Sequence, residues 1–398
     1  MRLYLIIVLV VLAFGCQCPS TSCQVKDVNS SKRIIPGAER ISLYLNYLKG
    51  KNVALVVNQS SRVHDKHLLD TLLQSDINIV KIFSPEHGFR GNADAGAHIK
   101  DSRDTKTGLP IISLYGKNRK PTPAQLKDVN IVVFDIQDVG VRFYTYISTL
   151  HLVMEACAEN HKPLLLLDRP NPNGHYIDGP ILDTAFRSFV GMHPVPIVYG
   201  MTIGEYGKMI NGEHWLNRGI QCELSVIPCL NYKHNMAYRL PVKPSPNLPN
   251  YRSILLYPSL CLLEPTTVSI GRGTSKQFQI MGHPSWPDTL FSFIPRPNKG
   301  ASHPKQEGKD CYGYDFTKET TEDLFNEDRI HLNYLIKAWA MTPHSDFFIS
   351  NGSFDRIAGS SKLRNQLIAG ASEEDIRQSW EEGLGHFKAM RLKYLLYP

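Results

Sequence analysis

After its first dozen residues the chain has no long apolar run, and nowhere does it have a CxxC pair, a Lys/Arg cluster or an internal repeat. Each absence removes a class of protein. A spanning helix needs roughly 20 consecutive apolar residues, so no segment of the body reads as transmembrane. Eight cysteines stand in 398 residues: Cys16, Cys18 and Cys23 near the start, and Cys157, Cys222, Cys229, Cys261 and Cys311 in the body. The body's odd number, without metal-type spacing, builds neither a disulfide framework nor a zinc cluster. The net charge of +7 is scattered, with no basic run and no interleaved aromatic platform, so nucleic acid is not an expected partner. Neither GxSxG nor HExxH occurs, which removes the commonest serine-hydrolase and zinc-protease readings, and GxxxxGK[ST] and GxGxxG are missing too, which argues against nucleotide binding.

What is present begins with a compartment signal. Arg2 precedes an apolar run from Leu3 to Leu12 that ends in Ala13-Phe14-Gly15-Cys16, a cleavable signal pattern over residues 1–15. Cysteine directly after glycine resembles a bacterial lipobox, in which Cys16 would carry lipid; ordinary secretion is the other reading. Residues 16–32 lack periodicity and read as a flexible tether. The expected location is the bacterial cell envelope.

From Lys51 to about Pro170, short β-branched runs alternate with amphipathic stretches, the pattern of βαβ units and a mostly parallel sheet. The predicted strands are Val53–Val57, Ile77–Phe83, Ile111–Tyr115, Ile131–Phe134 and Leu164–Leu167, near-continuous apolar runs buried on both faces. Ile147, Leu150, Met154 and Cys157 recur at helical spacing, and Cys157 is read as core. Prolines punctuate the chain after Pro180, placing a domain boundary near 180–200: a Rossmann-like α/β domain over 33–190 and a smaller α/β domain over 191–398. Helices around Ile203–Trp215 and Leu332–Met341, a strand around Glu223–Ile227 and a last helix from Glu373, opened by a Ser372/Asp375 capping box, are assigned to the latter.

Ligands of open α/β sheets bind beyond the carboxyl ends of the strands, and the polar motifs sit there. Ser84-Pro85-Glu86-His87-Gly88-Phe89-Arg90-Gly91 projects Glu86 and His87 from a tight loop. Glu86 reads either as a general acid or as a partner of Arg90 or a backbone turn. The segment from Asp135 to Tyr146 crowds Asp135, Asp138, Arg142, Tyr144 and Tyr146 into one loop. Arginine can fork onto a sugar carboxylate while Asp and Tyr bind hydroxyls; an Asp–Arg pair holding the loop is the structural alternative. Asp168 leads a turn-rich third strand end, and Glu264 with the glycine-flanked Arg272 forms a fourth candidate. His87, His98 and Asp101 could be assembled into a metal site, although such a trio arises easily by chance.

Together, SPEHGFRG, FDIQDVGVRFYTY, LLLLDRPNP with the following DGP, VYGMTIGEYGKMIN and SIGRGT resemble the exo-acting β-N-acetylmuramidases of the NamZ type, in order from about residue 34 to the C-terminus. The resemblance implies a Rossmann-like domain with a smaller α/β domain, no cofactor, no metal, and removal of terminal N-acetylmuramic acid (MurNAc) from non-reducing ends of peptidoglycan fragments such as MurNAc-GlcNAc. It implies Glu86 as catalytic acid, with His87 the other group of that string able to exchange protons. The Asp135–Tyr146 loop, Asp168 and the Glu264–Arg272 loop would line the sugar pocket. The second catalytic role is open between the substrate's acetamido group and Asp135, Asp138 or Glu264, and Arg142 or Arg272 is the expected partner of the lactyl carboxylate. A non-catalytic muropeptide-binding envelope lipoprotein is the rival from another class, and a metal-dependent hydrolase using His87 and His98 a third.

Overall fold

Six apolar segments form the parallel part of the central sheet: β1 (Val53–Val57), β2 (Ile79–Ser84), β3 (Pro110–Ser113), β4 (Ile131–Asp135), β5 (Leu164–Leu167) and β6 (Leu224–Ile227). The computed structural model describes residues 32–86, 88–89, 101–349 and 352–398; His87, Arg90, His98, the 1–15 signal and Cys16 lie outside the described residues. The strands lie side by side in the order β3-β2-β1-β4-β5-β6, each neighbour parallel. A two-residue strand, Ser102–Arg103, closes the β3 edge in antiparallel register. β1, β4 and β5 are buried along their whole length, as strands covered on both faces must be.

This order reverses direction between β1 and β4. The two strands run in register from Val53 beside Ile131 to Val57 beside Asp135, so their carboxyl ends open a crevice at the switch point of a doubly wound sheet. The α/β class and mostly parallel sheet expected from the sequence are therefore present. The chain returns to the sheet after the change of texture near 180–200, because Leu224–Ile227, assigned from sequence to the second domain, pairs with β5.

Helix α1 (Tyr146–Glu159) links β4 to β5 and carries its apolar residues nearly all round, with Ile147, Leu150, Met154 and Cys157 buried. Such a helix has to be covered on both sides. The segment Ile203–Gly212 packs along it, and Leu150, Leu166, Tyr206, Leu256 and Leu335 belong to one apolar cluster. The opposite sheet face, with Leu55 and Val133, packs on the short helix that carries Leu68 and Leu72.

Helix α2 (Ile203–Gly212) precedes β6 and starts with a Thr202/Glu205 capping box. Helix α3 (Tyr251–Leu260) opens with one between Asn250 and Ser253. A separate antiparallel sheet, β7 (Ile280–His283), β8 (Phe291–Phe293) and β9 (Cys311–Asp315), has β9 in the middle. Helix α4 (Leu332–Met341) has the predicted bounds. The Ser372/Asp375 capping box forms, but the helix it opens, Glu373–Gln378, stops before α5 (Glu381–Arg391) begins. The five body cysteines are buried free thiols. No helix among the described residues is long and apolar enough to cross a membrane.

Candidate active site

A cavity of about 220 Å³ opens at the carboxyl ends of the strands. This is below the roughly 300–1,000 Å³ of sites that engulf a drug-sized ligand. Glu86, from the loop after β2, and Tyr115, from the loop after β3, form one wall. Phe143, Tyr144, Thr145 and Tyr146, which lead into α1, form the floor. Ser245, Asn247, Tyr257, Arg272 and Phe278 come from the C-terminal region and complete it.

The half-buried Glu86 is placed by the start of α1. Thr145 is the N-cap residue of that helix, yet its hydroxyl does not cap its own turn. It donates instead to Glu86 Oε2 at 2.8 Å. The carboxylate therefore sits beside the first turn of α1. The Tyr115 hydroxyl faces the same carboxylate, and burial together with the Glu86 charge pushes its pKa up to about 12, so it remains a proton donor at neutral pH. Among the described residues Glu86 is the only carboxylate lining this cavity.

Aromatic rings supply the apolar surface. Tyr144 meets Tyr146 edge-on with centroids 4.8 Å apart, and Tyr257 meets Phe143 at 5.3 Å and Phe278 at 4.9 Å in the same geometry. Their hydroxyls are anchored: Tyr144 donates to the Pro244 carbonyl at 2.9 Å, and Tyr146 accepts from Asn58 Nδ2 at 2.9 Å. Arg272 donates through Nε to Glu264 Oε1 at 2.5 Å and lies 5.2 Å from the Phe278 ring. Burial alone would raise the Glu264 pKa, but the charges of Arg272 and Lys305 outweigh it and hold the carboxylate below its usual range. Glu264 borders an adjoining cavity that shares Arg272.

The sequence candidates thus divide. Glu86, Tyr144, Tyr146 and Arg272 share the cavity, and Glu264 adjoins it through Arg272. Four others serve the scaffold, a correction to their expected place at the sugar. Asp135 is fully buried and held by Arg169, Nε to Oδ1 at 2.6 Å and Nη2 to Oδ2 at 2.9 Å. Asp138 turns inward: its Oδ2 accepts from Gly140 N at 2.7 Å and from the Tyr199 hydroxyl, and burial raises its pKa to about 6. That turn needs glycine, since Gly140 has φ 77° and a Cβ there would stand 2.2 Å from the Asn171 side chain.

Arg142, expected on a sugar carboxylate, has no exposed surface. Nη1 donates to the carbonyls of Pro180 and Val195 at 2.7 Å each, and Nη2 to those of Ile357 and Ala358 at 3.0 and 2.8 Å. Asp168 braces the start of α2, accepting from Gly204 N at 2.8 Å, Thr202 Oγ1 at 2.7 Å and the Tyr397 hydroxyl at 2.6 Å. No cluster of His, Cys, Asp or Glu among the described residues is arranged to hold a metal ion. Sequence reasoning passed over Tyr115, Arg119, Phe189 and Asn247, which line the cavity from loops with no chemical motif of their own.

Fold and site define an α/β protein with a small, aromatic-floored, acid-bearing pocket at a topological switch point, the surroundings that suit one sugar ring. The family described as Exo-beta-N-acetylmuramidase NamZ matches with its N-terminal part over residues 53–252 and its C-terminal part over residues 255–397. The chain belongs to this family. Peptidoglycan beta-N-acetylmuramidase NamZ of Bacillus subtilis (strain 168) is 41% identical over 372 residues, 89% of each chain. Two DUF1343 family proteins of known crystal structure from Bacteroides fragilis NCTC 9343 superpose with TM-scores of 0.85 and 0.77, at 46% and 31% identity. Each alignment covers 92% of this chain and 99% of the other.

Proposed function

We propose that the chain is an exo-acting glycoside hydrolase that releases N-acetylmuramic acid from the non-reducing ends of peptidoglycan fragments, with Glu86 as its acid. The observation that carries this reading is the placement of Glu86. It is the lone described carboxylate of a monosaccharide-scale cavity, held by Thr145 at the start of α1. Membership of a family that includes a peptidoglycan β-N-acetylmuramidase supplies the substrate class.

Glycoside cleavage needs a proton for the leaving oxygen and an electron pair for the anomeric carbon. Asp135 and Asp138, two of the protein groups considered for the second role, are occupied inside the scaffold, and Glu264 is paired with Arg272. The substrate's own 2-acetamido group then fits that role. Its carbonyl oxygen attacks C1 as the C1–O bond breaks, and the Glu86 proton passes to the departing oxygen. The resulting oxazolinium is opened at C1 by water, which gives its proton to the Glu86 carboxylate, restoring the acid and releasing the sugar with its β configuration. The aromatic floor binds the ring's apolar face and shields the cation from bulk water.

Incubation with MurNAc-GlcNAc tests the reading. Free N-acetylmuramic acid is the expected product, initially as the β anomer, insensitive to EDTA; an intact disaccharide would leave only a muropeptide-binding module. The N-terminal pattern supports export, with removal of residues 1–15 and lipid on Cys16 tethering the enzyme in the cell envelope. Incorporation of labelled fatty acid that disappears in Cys16→Ser is the expected outcome; equal labelling of both chains would contradict it.

A further inference from the structure

With Arg142 buried among carbonyls, recognition of the lactyl carboxylate falls to another cation. Among the described residues two arginines line the cavity, Arg119 and Arg272. The charge of Arg272 is already matched by Glu264 at 2.5 Å. Arg119 differs: it is exposed, and its guanidinium hydrogen-bonds to no described residue and makes no ion pair with one. Its close partner among the described residues is the Phe189 ring, whose centroid lies 4.4 Å from the guanidinium carbon. Phe189 in turn packs against Tyr115 at 6.2 Å, and Tyr115 borders Glu86. The cation is thus held by an aromatic ring on the wall that carries the acid, with its hydrogen-bonding fork taken up by no described residue.

We propose that Arg119 is the specificity-determining residue of the site, binding the 3-O-lactyl carboxylate of the terminal sugar and so distinguishing N-acetylmuramic acid from N-acetylglucosamine, which has no such group. The inference rests on the proposed glycosidase reading. Stacking on Phe189 leaves the N–H edges of the guanidinium available to a carboxylate, which they match bidentately. A rim position costs little desolvation of the arginine, so its contribution is to binding and selection, not to the proton transfer at Glu86.

The test pairs two substrates, p-nitrophenyl β-N-acetylmuraminide and the same glycoside with its lactyl group converted to the neutral methylamide. For Arg119→Gln the expected result is a 10- to 100-fold fall in kcat/KM on the carboxylate substrate, carried by KM, with less than a threefold change on the amide. Arg119→Lys, which keeps the charge and loses the fork, should recover part of the loss. Calorimetric titration of the full chain with free N-acetylmuramic acid should weaken in parallel, a readout that does not depend on turnover. Equal losses on both substrates, or none on either, would overturn the assignment while leaving the glycosidase reading intact. Failure of the wild-type chain to cleave either substrate would overturn both.

Discussion

Replacing Arg142 by methionine separates a strut from a ligand-binding residue. Methionine keeps an unbranched apolar stem but has no donor, so the carbonyls of Pro180, Ile357 and Ala358 lose their side-chain donor together, while that of Val195 keeps only the backbone N–H of Leu182 at 3.2 Å. A buried polar group left unsatisfied costs about 1–3 kcal/mol. The losses are not additive, because the carbonyls relax as a group and the variant no longer buries a charge; burial already pushes the Arg142 pKa down to about 9. A net loss of about 3–4 kcal/mol then corresponds to one or two carbonyls left without a partner. Unfolding entropy of roughly 2 cal/mol/K per residue over Ile34–Pro398 then gives a fall in Tm of about 4–5 °C. Calorimetric scans of the two chains measure this, and KM for MurNAc-GlcNAc, taken well below both transitions, should stay within twofold. A variant that melts within 1 °C of wild type while KM rises tenfold would refute the reasoning and return Arg142 to the sugar. Gly359→Ala should reproduce the thermal defect, since a Cβ there would stand 2.6 Å from Arg142 Nη2 at a backbone φ of 92°.

Asp138→Asn tests the inward turn through pH. An acid raised by burial from 3.8 to about 6 binds a proton more tightly when folded, so its stability contribution is present at low pH and lost as pH rises from about 4 to 6. The asparagine variant lacks that loss: its Tm relative to wild type should improve between pH 4.5 and 7.5, by the equivalent of about 2–3 kcal/mol, and a gap independent of pH would contradict the burial of a charged Asp138. Tyr397→Phe removes a hydroxyl that donates to Asp168 at 2.6 Å and accepts from Cys229 N at 2.7 Å. The urea midpoint should fall by the equivalent of about 1–3 kcal/mol with an unchanged m-value. Thr145→Val keeps the shape of the N-cap residue but releases Glu86, so kcat should drop about tenfold with KM nearly constant; a change confined to KM would mean that Thr145 touches substrate and does not position the acid.

The strands were legible because burial on both faces leaves no alternative to near-continuous apolar runs, and Leu164–Leu167 and Leu332–Met341 have the predicted bounds. The switch-point crevice followed from the polar strand ends. Which polar residues face it did not. Asp135, Asp138, Arg142 and Asp168 have the residue types of a sugar site, yet a strand end borders both the ligand crevice and the helices packed beneath it. The choice was made by features remote in sequence: Arg169 across from Asp135, Asn171 against Gly140, and Tyr397 reaching back from the C-terminus to Asp168. Tyr115, Arg119, Phe189 and Asn247 were invisible for the converse reason. Tyr115 and Arg119 share one loop while Phe189 and Asn247 stand in two others, and only the convergence of these separate chain segments gives them a common cavity.

The central claim is that Glu86 delivers the proton to the glycosidic oxygen. Single-turnover release of N-acetylmuramic acid from MurNAc-GlcNAc by Glu86→Gln, set beside the Kd of the same disaccharide, tests it most directly. General acid catalysis contributes roughly 10²–10⁴-fold, so the rate should fall by that factor while Kd stays within threefold. The loss should be smaller on a p-nitrophenyl leaving group, which needs no proton. A variant that turns over the disaccharide within threefold of the wild-type rate would contradict the account.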